Sequence, residues 1–196
     1  FLDNINNNFF EPILIIQNNI GPLKVPGLNR KIIFLNYKKF RYSIPKLIFI
    51  LLKLKPNIIF STFPHITLSL LFFKIFLFKN ILFIARSPNM IQPSLDNSSL
   101  KFFLKLLYKF CMPLSDVVIT TSEAMKRDFL NRGINTNKCF IVRNPVDNIK
   151  LRNINKFIRF PGEGLRLVFV GRLEDQKGLD RAIPLLKNIK ESHLTI

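Results

Sequence analysis

Short apolar runs alternate with longer helical patterns along most of the chain. The runs lack the polar alternation of a strand that faces solvent on one side, and they occupy 12–17, 31–36, 57–61, 81–85, 116–120 and 139–143. Such runs predict strands that are covered on both faces, which is typical of a parallel sheet. We therefore predict an α/β protein whose first domain is a doubly wound, Rossmann-like parallel sheet.

The segments between these runs have helical spacing. We predict helices over 43–55, 66–78, 98–114 and 123–131. Pro45 is expected in the first turn of its helix, where a missing N–H costs nothing. Ser122 is expected to cap the start of the last helix, and Gly133 is expected just beyond its end.

One apolar run, residues 66–85, is long enough to raise the question of a membrane span. A spanning helix needs about 20 apolar residues, and a central lysine costs roughly 2.5–3.5 kcal/mol on insertion scales. Lys74 lies within the run, and Lys79 with Asn80 divides it into a helix-length and a strand-length piece. We predict a buried helix followed by a buried strand, with an integral membrane protein that spans at 66–85 as the alternative.

The composition changes after residue 147. Residues 148–164 are polar and basic and end in Pro-Gly-Glu-Gly, which predicts a linker. We assign 1–147 to an N-terminal Rossmann-like domain and 165–196 to the first βαβ unit of a second one. A single βαβ unit cannot cover its own apolar faces, and the chain begins with Phe1, so we expect a truncated fragment.

The chain is strongly basic, with 30 Lys and Arg against 12 Asp and Glu and a net charge of +18. This balance normally suggests a polyanionic partner. The lysines are scattered without a clustered run or a recognisable motif, so we expect no nucleic-acid partner. Cys111 and Cys139 stand far apart with no Cys/His cluster, so we expect no metal site.

The loop after the strand that begins at Leu165 carries the clearest candidate chemistry. Such strand-to-helix loops are where parallel sheets bind phosphates. Gly171 allows close approach of a ligand, while Arg172 and Lys177 offer a planar fork and a mobile point charge. The alternative is a pair of solvated loop cations. Pro184 lies in the following helix and is expected to make it start late or kink.

That loop, "FVGRLEDQKGLDRAI", resembles the opening of the second domain of family 4 glycosyltransferases. The first domain of that family is similar to "GPL…P" at 21–26, to residues 43–61 and 115–134, and to "IVRNPVD" at 141–147. The resemblance implies a GT-B fold of two Rossmann-like domains and a retaining, metal-free hexosyl transfer from a nucleotide-sugar. It also implies that Gly171, Arg172 and Lys177 hold the donor diphosphate.

The acceptor side is expected at the carboxyl edge of the first sheet, facing the cleft between the domains. Its candidates are His65, Arg86 and Ser87, which follow two predicted strands. Relatives often place a histidine where this chain has Arg86 or Ser87, so that family role does not carry over directly. Arg86 suits a phosphorylated acceptor such as a polyprenyl-diphosphate-linked sugar, whereas a lone His65 also fits a purely structural role.

Lys101, Lys105 and Lys109 recur four apart on one side of the predicted helix 98–114, opposite Leu100, Phe103, Leu104, Leu107 and Phe110. This stripe is either a solvated face or a docking site for anionic lipid. Together the resemblance and the stripe predict a cytoplasmic glycosyltransferase, peripheral on the inner face of the plasma membrane, in surface polysaccharide biosynthesis. The alternative is a truncated, non-catalytic remnant or binding module of such an enzyme.

Overall fold

A computed structural model describes residues 5–18, 31–90, 101–146, 164–189 and 192–196. The chain divides into two compact units, Phe1–Pro145 and Val146–Ile196. The predicted linker lies outside the described residues except for Gly164, so the domain boundaries stay a prediction.

The first unit is built from parallel strands and the helices that connect them. Its strands are β1 (Leu14–Ile16), β2 (Ile32–Phe34), β3 (Ile58–Ser61), β4 (Leu82–Arg86), β5 (Val117–Thr120) and β6 (Cys139–Ile141). Its helices are α1 (Phe40–Leu54), α2 (Pro64–Leu77), α3 (Lys101–Cys111) and α4 (Glu123–Leu130). β1 pairs with β2, and β3-β4-β5-β6 form a parallel sheet in chain order. The predicted parallel, Rossmann-like α/β architecture is confirmed.

Chain order in the larger sheet determines where the helices lie. β3, β4, β5 and β6 follow one another across the sheet in chain order. Because connections between parallel strands are right-handed, the helices that join them, α2, α3 and α4, all lie on the same face of the sheet. On that face Phe83, Val118 and Cys139 are almost fully buried. The opposite side chains remain partly open, with Leu82 41% and Phe140 52% exposed. In the part of the chain that the structure describes, this opposite face is less completely covered than the helix face, although Ile84, Val117 and Ile119 on it are half-buried.

The helix ends follow the sequence signals in one case and depart from them in another. The Ser122 hydroxyl accepts the Met125 N–H at the start of α4, and Gly133 has a φ of 87° just beyond its end, as predicted. α1, in contrast, begins at Phe40, so Pro45 is its sixth residue and the prediction of a first-turn proline is wrong. The helix starts early because Phe40 packs against the core and the Ser43 hydroxyl bonds to its carbonyl.

Residues 66–85 fold as the predicted helix and strand, and β4 is paired on both sides. Lys74 is buried inside this run because its ammonium bonds to the Asp116 carboxylate and, at 3.1 Å, to the Leu114 carbonyl. Asp116 also accepts the Phe83 N–H at 2.7 Å. The alternative of a span at 66–85 is not what the structure shows. Among the described residues, no helix has both the length and the apolar character that crossing a membrane requires.

The second unit contains one βαβ arrangement. β7 (Leu165–Val168) pairs in parallel with β8 (Ser192–Thr195), and α5 (Leu179–Leu186) lies between them in sequence. α5 begins directly after Gly178 and contains Pro184 as its sixth residue, so it does not start late, and the alternative of a kink at Pro184 stays a prediction. None of the described residues of this unit is buried, which agrees with a single βαβ unit that cannot build its own core.

Candidate functional site

The carboxyl edge of the four-stranded sheet gathers most of the predicted acceptor-side residues. Parallel strands end at the same edge, so the residues that follow β3, β4 and β6 share that edge of the sheet. Arg86 ends β4, Ser87 follows it, and Asn144 follows β6. This edge is the part of the first unit where a parallel α/β sheet normally binds its ligand.

Arg86 is held at this edge by a partner that the sequence did not single out. Its Nη2 donates to the Asn144 Oδ1 at 2.7 Å. Asn144 belongs to the "IVRNPVD" stretch already noted for its resemblance. The edge rule for parallel strands places it at the same edge as Arg86, with β5 between their strands. One N–H of the guanidinium is thus engaged by Asn144, and the remaining N–H groups are left for other acceptors.

Ser87 is buried and largely occupied by its own loop. Its N–H donates to the Ile119 carbonyl at 3.0 Å, and its hydroxyl donates to the Asn89 carbonyl at 2.8 Å. Since the hydroxyl proton is engaged, Ser87 is placed to shape the loop after β4. Arg86 and Ser87 line a small apolar cavity, about the size of one water molecule, together with Pro64, Thr67, Ala85, Tyr108, Met112 and Phe129.

His65 lies in the first turn of α2 and does not line that cavity. Its ring packs edge-on against Phe40 at 5.1 Å between centroids and stacks on Phe63 at 6.0 Å. This partial burial lowers the pKa of the imidazole, so His65 is neutral near pH 7. The structure therefore brings Arg86 and Ser87 together and places His65 among aromatic rings.

The donor-side candidates lie in the second unit, where one turn brings two of them close. A Cβ added to Gly171 would stand 3.7 Å from the Lys177 Cγ and 3.3 Å from the Phe169 ring. A short 3-10 turn over Asp175–Lys177 produces this approach, and Gly178 then starts α5 with a φ of 69°. Such a positive φ favours glycine at that position.

Arg172 forms an ion pair within its own loop. Its Nη1 pairs with the Glu174 Oε1 at 2.8 Å, and its side chain is 75% exposed. The spacing Arg-x-Glu in the sequence could have suggested this pair. No described residue pairs with the Lys177 ammonium. Whether Gly171, Arg172 and Lys177 bind a diphosphate stays a prediction, and Glu174 would compete with such a ligand for Arg172.

Among the described residues, no cluster of His, Cys, Asp and Glu could hold a metal ion. Cys111 and Cys139 are both buried, and burial raises the pKa of each thiol. Buried thiols of this kind are poor nucleophiles and poor metal ligands. Anion binding by Arg86, Arg172 and Lys177 is thus the chemistry that the described candidates offer.

The predicted lysine stripe lies on α3, whose apolar side differs from expectation. Lys105 and Lys109 are exposed, as expected, while the Lys101 side chain and Leu100 lie outside the described residues. Leu104 and Leu107 pack against the core, but Phe103 and Phe110 are 55% and 61% exposed. The side predicted to lie opposite the lysines is therefore only partly packed against the core, and its two phenylalanines face outward.

Comparison with known proteins places the fold within a known class. The solved lipopolysaccharide outer core galactosyltransferase WaaB, in its apo form, matches with a TM-score of 0.53 and 18% identity, over 84% of this chain and 44% of that one. Anabaena Alr3699/HepE in complex with UDP-glucose matches with a TM-score of 0.56 and 12% identity, over 84% and 46%. The chain thus spans less than half the length of these structures, and the fold that it shares with them is that of GT-B glycosyltransferases.

Sequence comparison gives the family. No curated protein sequence matches the chain significantly. The model of Glycosyltransferase Family 4 matches residues 16–148, which cover most of the first unit and its carboxyl edge but not the Gly171 loop. The chain therefore belongs to Glycosyltransferase Family 4.

Proposed function

We propose that this chain is the acceptor-side domain, with the beginning of the donor-side domain, of a retaining glycosyltransferase. The observation that carries this proposal is the family match over 16–148, on a unit whose carboxyl edge presents Arg86 fixed by Asn144. The enzyme transfers a hexose from a nucleotide-sugar, with no metal, to a glycan or lipid-linked acceptor. Its setting is surface polysaccharide synthesis on the cytoplasmic side of the membrane.

Donor binding rests on Gly171, Arg172 and Lys177. Cleavage of the sugar–phosphate bond builds negative charge on the departing diphosphate, so cations placed there stabilise the transition state more than the ground state. The approach of Lys177 to Gly171 supports a shared binding loop. The UDP-glucose bound to HepE, a protein of similar fold, supports a nucleotide-sugar as the donor class.

Acceptor binding rests on Arg86. One side of its guanidinium is engaged by Asn144, and the fork offers further N–H groups to a phosphate oxygen. This arrangement suits an acceptor that carries a phosphate or diphosphate. A docking surface for anionic lipid would bring such an acceptor to the edge, as the lysine stripe of Lys101, Lys105 and Lys109 suggests.

The test is a panel of nucleotide-sugars offered to the longest natural protein that contains residues 1–196, with lipid-diphosphate and neutral glycan acceptors. We expect one donor to be consumed and the product to keep the anomeric configuration by NMR. Arg86→Ala should raise the KM for the diphosphate acceptor about tenfold or more, because one charge-assisted bond is lost, and should leave the KM for the donor unchanged. Asn89→Ala, in which the carbonyl that Ser87 uses is kept, is the matched control.

A different result would favour the second candidate, a non-catalytic remnant or binding module. The family match stops before the donor loop, and none of the described residues of the second unit is buried. If no donor is consumed while an acceptor or nucleotide still binds, the protein is a binding module. If donor hydrolysis proceeds with inversion, the retaining mechanism is wrong.

A further inference from the structure

The outer sides of α2 and α3 are aromatic where a helix of a water-soluble domain is normally polar. Phe102 is 80% exposed, Phe76 68% and Phe110 61%. Phe72, Phe103 and Leu106 are also exposed. Single exposed apolar residues need no explanation, but a contiguous group of this kind marks an interaction site.

These side chains lie on two helices, α2 and α3, that pack against each other. Because both helices connect successive strands of the four-stranded sheet, they lie on the same face of it. On α2, the Phe72 and Phe76 rings contact each other at 6.3 Å between centroids. We call the six residues Phe72, Phe76, Phe102, Phe103, Leu106 and Phe110 the α2–α3 outer surface.

The charges beside this surface have one sign. Lys105 and Lys109 are exposed one turn apart on α3, and the Lys109 ammonium stands 5.8 Å from the centre of the Phe110 ring. The sequences of α1, α2 and α3 contain no aspartate and no glutamate. A cationic edge beside exposed aromatic rings, on helices that carry no acid of their own, matches the charge pattern of helices that lie in the headgroup region of anionic membranes. The acids that act on these helices are Asp116, which pairs with the buried Lys74 of α2, and Asp128, which acts on the buried Tyr108 of α3.

We propose that the α2–α3 outer surface docks on an anionic lipid membrane. The phenylalanines enter the boundary between headgroups and acyl chains, while Lys105 and Lys109 pair with lipid phosphates. A second copy of the chain fits less well, because an isologous interface would bring these lysines against each other with no acidic residue of α1, α2 or α3 between them. This inference rests on the lipid docking named in the proposed function and assigns it to a surface. Its readout is lipid binding, so its failure is distinguishable from a failure of sugar transfer.

The electrostatic part is tested with vesicles of about 70% phosphatidylcholine and 30% phosphatidylglycerol at low salt. Each cation near such a surface raises the partition coefficient about fivefold. Lys105→Gln with Lys109→Gln should therefore lower binding of the purified chain about 30-fold. The matched control is Lys38→Gln with Arg127→Gln, two exposed cations outside α2 and α3, which should lower binding less than about threefold, because distant charges are screened.

The insertion of the aromatic rings has its own reporter, because the chain contains no tryptophan. Phe110→Trp places a single fluorophore on the α2–α3 outer surface. Phe140→Trp places one on the opposite face of the sheet, at a similar exposure of 52%. Vesicles should shift the emission of the Phe110→Trp variant to shorter wavelength and allow quenching by brominated acyl chains. They should leave the emission of the Phe140→Trp variant unchanged.

The outcomes separate the possible occupants of the surface. Loss of vesicle binding in Phe102→Ser with Phe110→Ser, with an unchanged melting temperature, supports the proposal. No binding of the unaltered chain to these vesicles overturns it. A concentration-dependent dimer that this double variant abolishes, without a vesicle-induced shift in the Phe110→Trp variant, assigns the surface to a second copy and also overturns it.

Discussion

The carboxyl edge of the first unit and the Gly171 loop of the second both present arginine, yet they are supported very differently. Arg86 ends a strand that lies over a buried core and is fixed by Asn144 at 2.7 Å. Arg172 stands on a unit in which no described residue is buried, with 75% of its side chain exposed and Glu174 as its partner. Arg86 thus stands on a packed sheet edge, whereas Arg172 depends on a local ion pair alone.

The difference between the two arginines shows how packing can position a binding residue before the ligand arrives. The backbone of a residue at a sheet edge is positioned by the core beneath it, because close-packed interiors leave few alternative arrangements. A loop on a lone βαβ unit has no such support, and its charges are set by local pairing. Substitutions in the first unit should therefore change the free energy of unfolding, whereas those in the second should change ligand binding with little effect on stability.

The largest effect is expected in the core under α4. Phe129 is 1% exposed, and Phe129→Ala should lower the free energy of unfolding by about 3–5 kcal/mol, because it removes apolar contacts and leaves a cavity. Leu185→Ala on α5, where the side chain is 66% exposed, should cost less than about 0.5 kcal/mol. Urea denaturation of both variants makes the comparison, and equal losses would contradict the contrast between the units.

The next effect concerns the buried cation of α2. Lys74→Met should destabilise the first unit by about 1–3 kcal/mol, because Asp116 loses its counter-charge while methionine keeps most of the apolar part of the lysine side chain. This range is smaller than the roughly 3–5 kcal/mol expected for a fully buried pair, because water partly screens the exposed Asp116. The Asp116 side chain is 37% exposed. The exposed Lys79→Met is the control. Thermal unfolding that leaves the two variants equal would show that the ion pair contributes nothing.

A smaller effect should appear as a pH dependence that belongs to the first unit. Burial by itself raises the pKa of Asp116, but hydrogen bonds from Lys74 and Phe83 outweigh it and hold this pKa below 3.8. Since the folded pKa is lower than the unfolded one, the carboxylate stabilises the protein above pH 3.8, and this contribution is lost as pH falls through the folded pKa. Asp116→Asn should flatten the stability curve in that acid range. If the free energy of unfolding of this variant still fell with pH as steeply as that of the unaltered protein, Asp116 would not be the source of the pH dependence.

The smallest effect should be a gain in binding in the second unit. Glu174→Gln removes the carboxylate that pairs with Arg172, so affinity for a nucleoside diphosphate should rise about two- to fivefold, the range of an exposed ion pair. Stability should not change. Titration calorimetry with UDP on this variant and on Asp180→Asn, an exposed acid on α5, provides the measurement and its control. A lower affinity would mean that Glu174 orients Arg172 for the ligand.

The elements of the first unit were largely predictable because strand and helix periods differ along the sequence. Ser122 and Gly133 acted as expected because capping depends on a few adjacent residues. The Asp116 partner of Lys74, 42 positions away, was not predictable, since periodicity reports which face is apolar and not which polar groups meet. The exposed Phe103 and Phe110 were missed for the same reason: an apolar stripe indicates amphipathicity but not whether protein, lipid or water covers it.

The candidate site also has features that local sequence signals predict and features that they do not. The edge rule for parallel strands placed Arg86 and Ser87 correctly at the carboxyl edge, and it places Asn144 at that edge too. It does not identify Asn144 as the Arg86 partner, because β5 lies between their strands. The rule could not show that Ser87 uses its proton within its own loop or that His65 turns toward Phe40. Those outcomes depend on packing between elements distant in sequence, which a single sequence does not encode in a readable local pattern.

The central claim is that the Gly171 loop holds the departing diphosphate of a nucleotide-sugar. It is tested most directly by single-turnover sugar transfer with Arg172→Ala and Lys177→Ala, using the longest natural protein that contains this chain. Lys187→Ala, an exposed cation at the far end of α5, is the control. We expect each loop variant to slow transfer about 10- to 150-fold, the value of one charge-assisted bond, and the control to transfer normally. Transfer at the unaltered rate in both loop variants would contradict the claim.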